Sequence, residues 1–278
     1  MSKRKTVVAI CALCALAISA VAVQSAAAAT VQKAGTTAFT CKEVAAGTGH
    51  FKGAHCKPSD AGTGTGANWD HVAFAQDTTT ELTGSNETTG GATEVVKLQS
   101  TQAGIAEEIQ AEVVSGTGWM KNQFDERVNG ADVEDEHYVH GEGTIEYSTI
   151  TVTKPAGKGC KVKGNKVTTK PLTATTTQQE DFLKFTPASG SVFAEFEIES
   201  CTGSSAIESL NGLYKVEGSV KGVPNGATTN FTHTETTAQG TLKLRGQKAG
   251  IEGPLTIKGR DNSLESYTPL SATTVTTP

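Results

Sequence analysis

The sequence predicts an all-β protein, an antiparallel β-sandwich or partly open β-barrel built from hairpins, with a small disulfide-bearing block on its N-terminal side. Three observations carry that expectation. First, residues 191–201, SVFAEFEIESC, alternate in polarity: Val192, Ala194, Phe196 and Ile198 fall on one side of an extended backbone, and Phe193, Glu195, Glu197 and Glu199 on the other. Side chains alternate faces along a strand, so this period of two describes a strand with one buried and one wet face. Second, short runs of the same kind recur between Gly, Pro and Asn turns at the ~8–12-residue spacing of sandwiches and barrels. Third, cysteines sit where such strands would be stapled to neighbours.

Residues 1–29 read as an export signal. Lys3, Arg4 and Lys5 form a positive start, an apolar run follows from Val7 to Val23, and Ser25 to Ala29 offers small residues for cleavage. The apolar run is shorter than the ~20 residues a spanning helix needs, and no later stretch could span a bilayer. Cys11 follows Ile10 and Cys14 follows Leu13, whereas a lipid-anchor signal wants a small residue before its cysteine. The expected location is secreted or cell envelope, with an extracellular or cell-wall partner and no membrane span after cleavage.

Loss of that leader, which carries three of the 24 basic residues, leaves 249 residues with a formal charge of −8. An acidic chain with no basic stripe excludes nucleic acid and disfavours anionic lipid. Aromatics make up only 5% of the chain, so the core is expected to draw on Val, Ile, Leu and Ala. Removing Cys11 and Cys14 with the leader leaves Cys41, Cys56, Cys160 and Cys201, which in an oxidising compartment read as two disulfides. Pairing within local blocks favours Cys41–Cys56 and Cys160–Cys201. A zinc site from Cys41, His50, His55, Cys56 and His71 is the alternative, but its spacings match no ligand pattern. No cofactor is expected.

Residues 30–76 form the cysteine-bearing block, with strands expected at 39–44 and 68–74. Residues 77–93 are Thr, Gly and Asn with few apolar positions and read as a loop or linker. The main β domain then spans 94–278, separate from 30–76 or continuous with it. Within it, VVKLQSTQAGIAEEI at 95–109 and TLKLRGQKAGIEGPL at 241–255 align without gaps, Lys97-Leu98 and Ala103-Gly104-Ile105 matching Lys243-Leu244 and Ala249-Gly250-Ile251. Each copy reads as strand, polar turn, strand. Ile105, Ile109, Ala111 and Val113 are expected to face inward, and 119–136 to be a less regular excursion. The apolar phase switches between Tyr147 and Ile150, as a β-bulge would make it. Pro224-Asn-Gly226 marks a hairpin turn, and the last apolar strand is expected at 249–258.

The stretches FTCKEV at 39–44, GCKVKG at 159–164, GVPNGA at 222–227 and GQKAGIEG at 246–253 resemble a family of exported, β-rich bacterial proteins with no established activity. The resemblance covers most of the chain after the leader. It implies compartment and fold, and no functional residue.

Three groups of residues could carry chemistry. Glu195, Glu197 and Glu199 resemble the Glu-x-Asp-x-Glu strand of jelly-roll glycoside hydrolases, which need two carboxyls ~5–5.5 Å apart; residues two apart on a strand stand roughly 7 Å apart. Trp69 and Trp119 are the only tryptophans that could stack on a sugar. Asp132, Glu134, Asp135 and Glu136 are a calcium candidate without EF-hand spacing. His137 and His140, three apart on a strand, point to opposite faces and do not ligate one metal together. The sequence therefore favours a non-catalytic surface, matrix or binding module, with a carbohydrate-binding module or jelly-roll hydrolase as the alternative.

Overall fold

The computed structural model describes residues 34–54, 56, 58–73, 77–86, 88–89, 92–129, 132–177, 180–225, 228–232, 240–261 and 266–276. The expected export signal, residues 1–29, lies outside them. Among these residues the fold is nearly all-β. It begins with β1 (Ala34–Glu43), β2 (Trp69–Ala73), β3 (Thr80–Ser85), β4 (Thr88–Thr89), β5 (Ala92–Thr93) and β6 (Val96–Gln102). A long hairpin follows, β7 (Ile105–Asn129) and β8 (Asp132–Lys154). Next come β9 (Lys161–Val162), β10 (Lys166–Thr168), β11 (Leu172–Thr177), β12 (Glu180–Pro187) and β13 (Val192–Glu199). A single helical turn, α1 (Ser205–Glu208), precedes β14 (Gly212–Glu217), β15 (Val220–Asn225), β16 (Thr228–Thr232), β17 (Lys243–Leu244), β18 (Gln247–Asp261) and β19 (Ser266–Thr276).

The pairings close into two antiparallel rings that share β7, β8 and β18. In the first, β18 pairs β3, β3 pairs β7 and β7 pairs β8; β11, β12, β15 and β16 follow in turn, and β16 returns to β18. In the second, β18 pairs β6, β6 pairs β7, and β8 pairs β10. A bridge from Thr169 to Ala194 then leads into β13, and β14 and β17 complete the path to β18. Closure leaves such a ring without free edges. Leu172, Leu183, Phe185, Phe231 and Leu255 are buried in the first barrel, with the Phe185 and Phe231 rings 5.5 Å apart. Val96, Ile109, Phe196, Tyr214, Val216 and Ile251 are buried in the second, where Phe196 stacks on Tyr214 at 5.3 Å.

The long hairpin bends where it passes from one barrel to the other. Between Ala111↔Ile150 and Val113↔Ser148 one rung is missing from the ladder, and Thr149 adopts φ +53° there. The side chain of Asn165 accepts a hydrogen bond from the Ile150 amide at 2.6 Å, and that of Asn86 accepts one from the Val114 amide. Both strands change phase together at this corner. Ile109 and Ala111 are buried before it and Val114, Met120 and Asn122 after it, while Val113 is 47% exposed. Val113 therefore faces out, contrary to the sequence expectation. The switch between Tyr147 and Ile150 is present, but the register is unchanged across it; the shift in register falls between Glu108 and Ile109.

Several sequence expectations are corrected by this topology. Residues 119–136 belong to the β7–β8 hairpin, whose ladder continues to Asn129↔Asp132. Thr80–Ser85 is a strand of the first barrel, so 77–93 is more than a loop. Phe193 is buried beside Ala194, because β13 shifts register between Val192 and Ala194. The aligned repeat is not a structural repeat. The first hairpin turns at Ala103-Gly104 (φ +49°, +81°) and the second at Arg245-Gly246 (φ +48°, +81°), four residues before the aligned Ala249-Gly250. Positive φ at both central residues is the tight hairpin turn that such pairs favour. The two segments instead lie side by side, with Ile251 opposite Leu98.

The N-terminal block joins the same sheet. β1 pairs β2 on one side and β19 over Ala34↔Thr276 to Thr40↔Leu270. At Ala38 its backbone is bonded by a side chain: the Asn122 carboxamide accepts from the Ala38 amide at 2.7 Å and donates to its carbonyl at 3.0 Å.

Candidate binding surface

The acidic face of β13 looks outward. Ala194, Phe196 and Ile198 fill the second barrel, so Glu195 and Glu197 stand on the opposite, wetter side. Lysines from neighbouring strands and turns meet them. Glu195 lies 3.3 Å from Lys170 and 3.7 Å from Lys215, and Glu197 lies 2.7 Å from Lys163. The hydrogen bond from Lys163 to Glu197, followed by the charge of that carboxylate, raises the Lys163 pKa. These are exposed pairs that solvent screens strongly, so they contribute little to stability.

Cys41 is joined to Cys56 and Cys160 to Cys201. Both sulfurs offered to zinc are thereby committed to each other, and His50 is engaged by Asp70 at 3.0 Å. No group of three or more His, Cys, Asp or Glu able to hold a metal occurs among the described residues. The calcium candidates Asp132, Glu134, Asp135 and Glu136 fall at the start of β8, opposite Asn129, Arg127, Glu126 and Asp125; their side chains lie outside the described residues.

Trp69 and Trp119 fall in different parts of the molecule. Trp69 is in β2, paired with Glu43 of β1. Trp119 is in β7, between β3 and β8. Val114, Met120 and Asn122 point into the first barrel, so the alternate position Trp119 points out, where it is partly exposed. Residues directly opposite on antiparallel strands share a face. Glu81 is opposite Trp119 on β3 and Glu142 is opposite it on β8, so a carboxylate flanks the indole on each side. The His140 ring stands 5.4 Å from the indole at 57°, and its Nε2 is 3.9 Å from Glu142 Oε1. Thr117 and Lys121 are the same-face neighbours along β7. Beneath this rung Gly118 faces Gly143, and a Cβ on either would run into the partner strand, at the Glu142 or the Thr117 carbonyl. The glycines thus let the two backbones come close under Trp119.

No family model matches the chain, nor does any curated protein or solved structure. Its own geometry is therefore what bears on function. Trp119 stood out in the sequence as one of two tryptophans; Glu81, His140 and Glu142 did not stand out as its neighbours, because only strand register brings them together.

A buried polar cluster closes the far end of the second barrel. Gln102 donates to the Leu244 carbonyl at 2.7 Å and to Ser100 Oγ at 3.2 Å, and Ser100 donates to the Lys248 carbonyl. Opposite Ser100 on β7, Glu107 is 3% exposed. Burial raises its carboxyl above the ordinary range, against the opposing effects of Tyr214 and Arg245.

The disulfides, and the lack among the described residues of any helix long and apolar enough to cross a membrane, are compatible with an extracellular location.

Proposed function

We propose that the mature chain is an exported, non-catalytic binding module of the cell surface or matrix. The observation that carries this reading is the engagement of the β13 carboxylates by lysines on an outer wall, around a barrel with an apolar interior. A retaining glycosidase would use Glu195 and Glu199 as nucleophile and acid across a sugar, ~5–5.5 Å apart. Here Glu195 is held between two cations instead. The two staples and the acidic, Thr-rich composition suit a chain that works outside the cytoplasm.

The test is turnover of a panel of β-glucans and peptidoglycan by the wild type and by Glu195→Gln, Glu197→Gln and Glu199→Gln. No turnover is expected from any of them. Wild-type hydrolysis that one of these single substitutions abolishes would overturn the reading.

A further inference from the structure

We infer that the outer wall of the first barrel binds a neutral β-linked hexopyranose chain, with Trp119 as the stacking platform. The inference rests on the binding-module reading above and names its ligand class. The indole is held on the rung of three neighbouring strands, outward and partly exposed, so part of its aromatic surface is offered on a rigid element. A β-linked pyranose with equatorial hydroxyls presents axial C–H groups to such a face. Its hydroxyls at the ring edges both donate and accept, and the flanks of Trp119 carry partners of both kinds. Glu81 and Glu142 are acceptors on opposite sides of the indole, Lys121 and His140 offer donors, and the Thr117 hydroxyl does either.

This mixture is what separates a sugar from a cation. Two carboxylates beside an aromatic face would also attract an ammonium group. Lys121, however, is two residues from Trp119 on the same strand face, where its ammonium would repel a cation. An anionic ligand meets Glu81 and Glu142 and is disfavoured likewise. The Glu142 side chain is 48% exposed and lies 3.9 Å from His140 Nε2, so its oxygens can take up bonds from a ligand. Sites of this kind fix orientation with a few placed polar groups around an apolar surface.

The experiment titrates the mature chain, residues 30–278, with cellohexaose, laminarihexaose and chitohexaose, reading indole emission and calorimetric Kd, with choline as the cationic control. Binding of at least one hexasaccharide is expected. Trp119→Ala should weaken it about tenfold or more, the scale of losing a stacked aromatic contact. Glu142→Gln, an exposed substitution that should leave the fold intact, should weaken it about threefold or more through loss of a charged acceptor. Trp69→Ala should leave it unchanged. The inference is overturned if no hexasaccharide binds, if binding survives both Trp119→Ala and Glu142→Gln, or if choline binds in a Trp119-dependent way and the sugars do not. Cleavage of the hexasaccharide would instead overturn the non-catalytic reading beneath it, an outcome that product analysis separates from loss of binding.

Discussion

Tyr214 Oη stands 2.6 Å from Glu107 Oε1 and 2.8 Å from the Leu210 carbonyl oxygen, with one proton to give to two acceptors. The arrangement is complete when Glu107 is a neutral acid. Its O–H then donates to Tyr214 Oη, and the phenol donates to Leu210. Glu107 Oε2, buried without a hydrogen-bond partner, is far less costly on a neutral carboxyl than on a carboxylate. Burial, followed by the hydrogen bond to Glu107, likewise raises the Tyr214 phenol.

Stability should therefore fall with rising pH in a window set by Glu107. Unfolded, this carboxyl titrates near about 4.3; folded, it titrates higher. Between the two values the folded state binds more protons, so the stability that Glu107 contributes is fully present below about 4.3 and lost as pH rises through the folded value. Glu108 acts in the opposite sense. Burial pushes it up, but hydrogen bonds from Lys154 and Thr153 outweigh burial and hold it below the ordinary range, so its contribution is lost toward acid. Glu107→Gln keeps a donor for Tyr214 and should remove the decline above about pH 4.3. Denaturant melts of both proteins from acid to neutral pH check this, and parallel curves would show Glu107 to be charged in the folded state.

Phe196→Ala should cost about 3–5 kcal/mol, through lost burial, the cavity left behind and the lost stack on Tyr214. Glu197→Gln, one residue away but facing out toward Lys163, should change stability by no more than about 1 kcal/mol. Equal effects in urea melts would contradict the two-faced strand.

Thiol titration of the denatured, unreduced mature chain should find essentially no free thiol. In the loop-entropy account, opening Cys41–Cys56, separated by 15 residues, should cost about 3 kcal/mol, and opening Cys160–Cys201, separated by 41, about 4 kcal/mol. Melts of the paired Cys→Ala variants measure each cost, and peptide mapping reads the connectivity directly.

Asn122→Ala removes the carboxamide that bonds both backbone groups of Ala38. Ala38 is fully buried, so its amide and carbonyl would lose partners where water does not reach. A cost of about 1–3 kcal/mol is expected, with faster amide hydrogen exchange in β1 than in β13. Unchanged exchange at Ala38 would show that Asn122 does not anchor β1.

What could be read from the chain was local. The alternation of β13, the pairing of β15 with β16 as a hairpin, and the pairing of nearby cysteines follow from neighbours in sequence. What could not be read depends on register between distant strands. Nothing in YTPLSATTVT has the apolar period that would announce β19, since a strand held by backbone bonds needs none. Residues 119–129 and 132–136 carry charges at irregular intervals, yet stay in strands because the hairpin ladder extends through them. Val113 was assigned to the wrong face because a corner resets the period of two. The same dependence hid the flanks of Trp119: Glu81 lies in a Thr-rich stretch, and only the β3–β7 register makes it a neighbour.

The pairing of β1 with β19 sets an order of events for a chain that leaves the ribosome N-terminal end first. Residues 34–43 emerge early and find β2 and β8 first, but their remaining neighbour, residues 266–276, follows after nearly all the rest has been made. Until then β1 offers one bare strand edge to whatever is nearby. Completion of the sheet thus waits on arrival rather than on local propensity, and contacts this distant in sequence close slowly. A chaperone that shields one strand edge would shorten that exposed interval, and a chain cut before residue 266 would stay in it permanently.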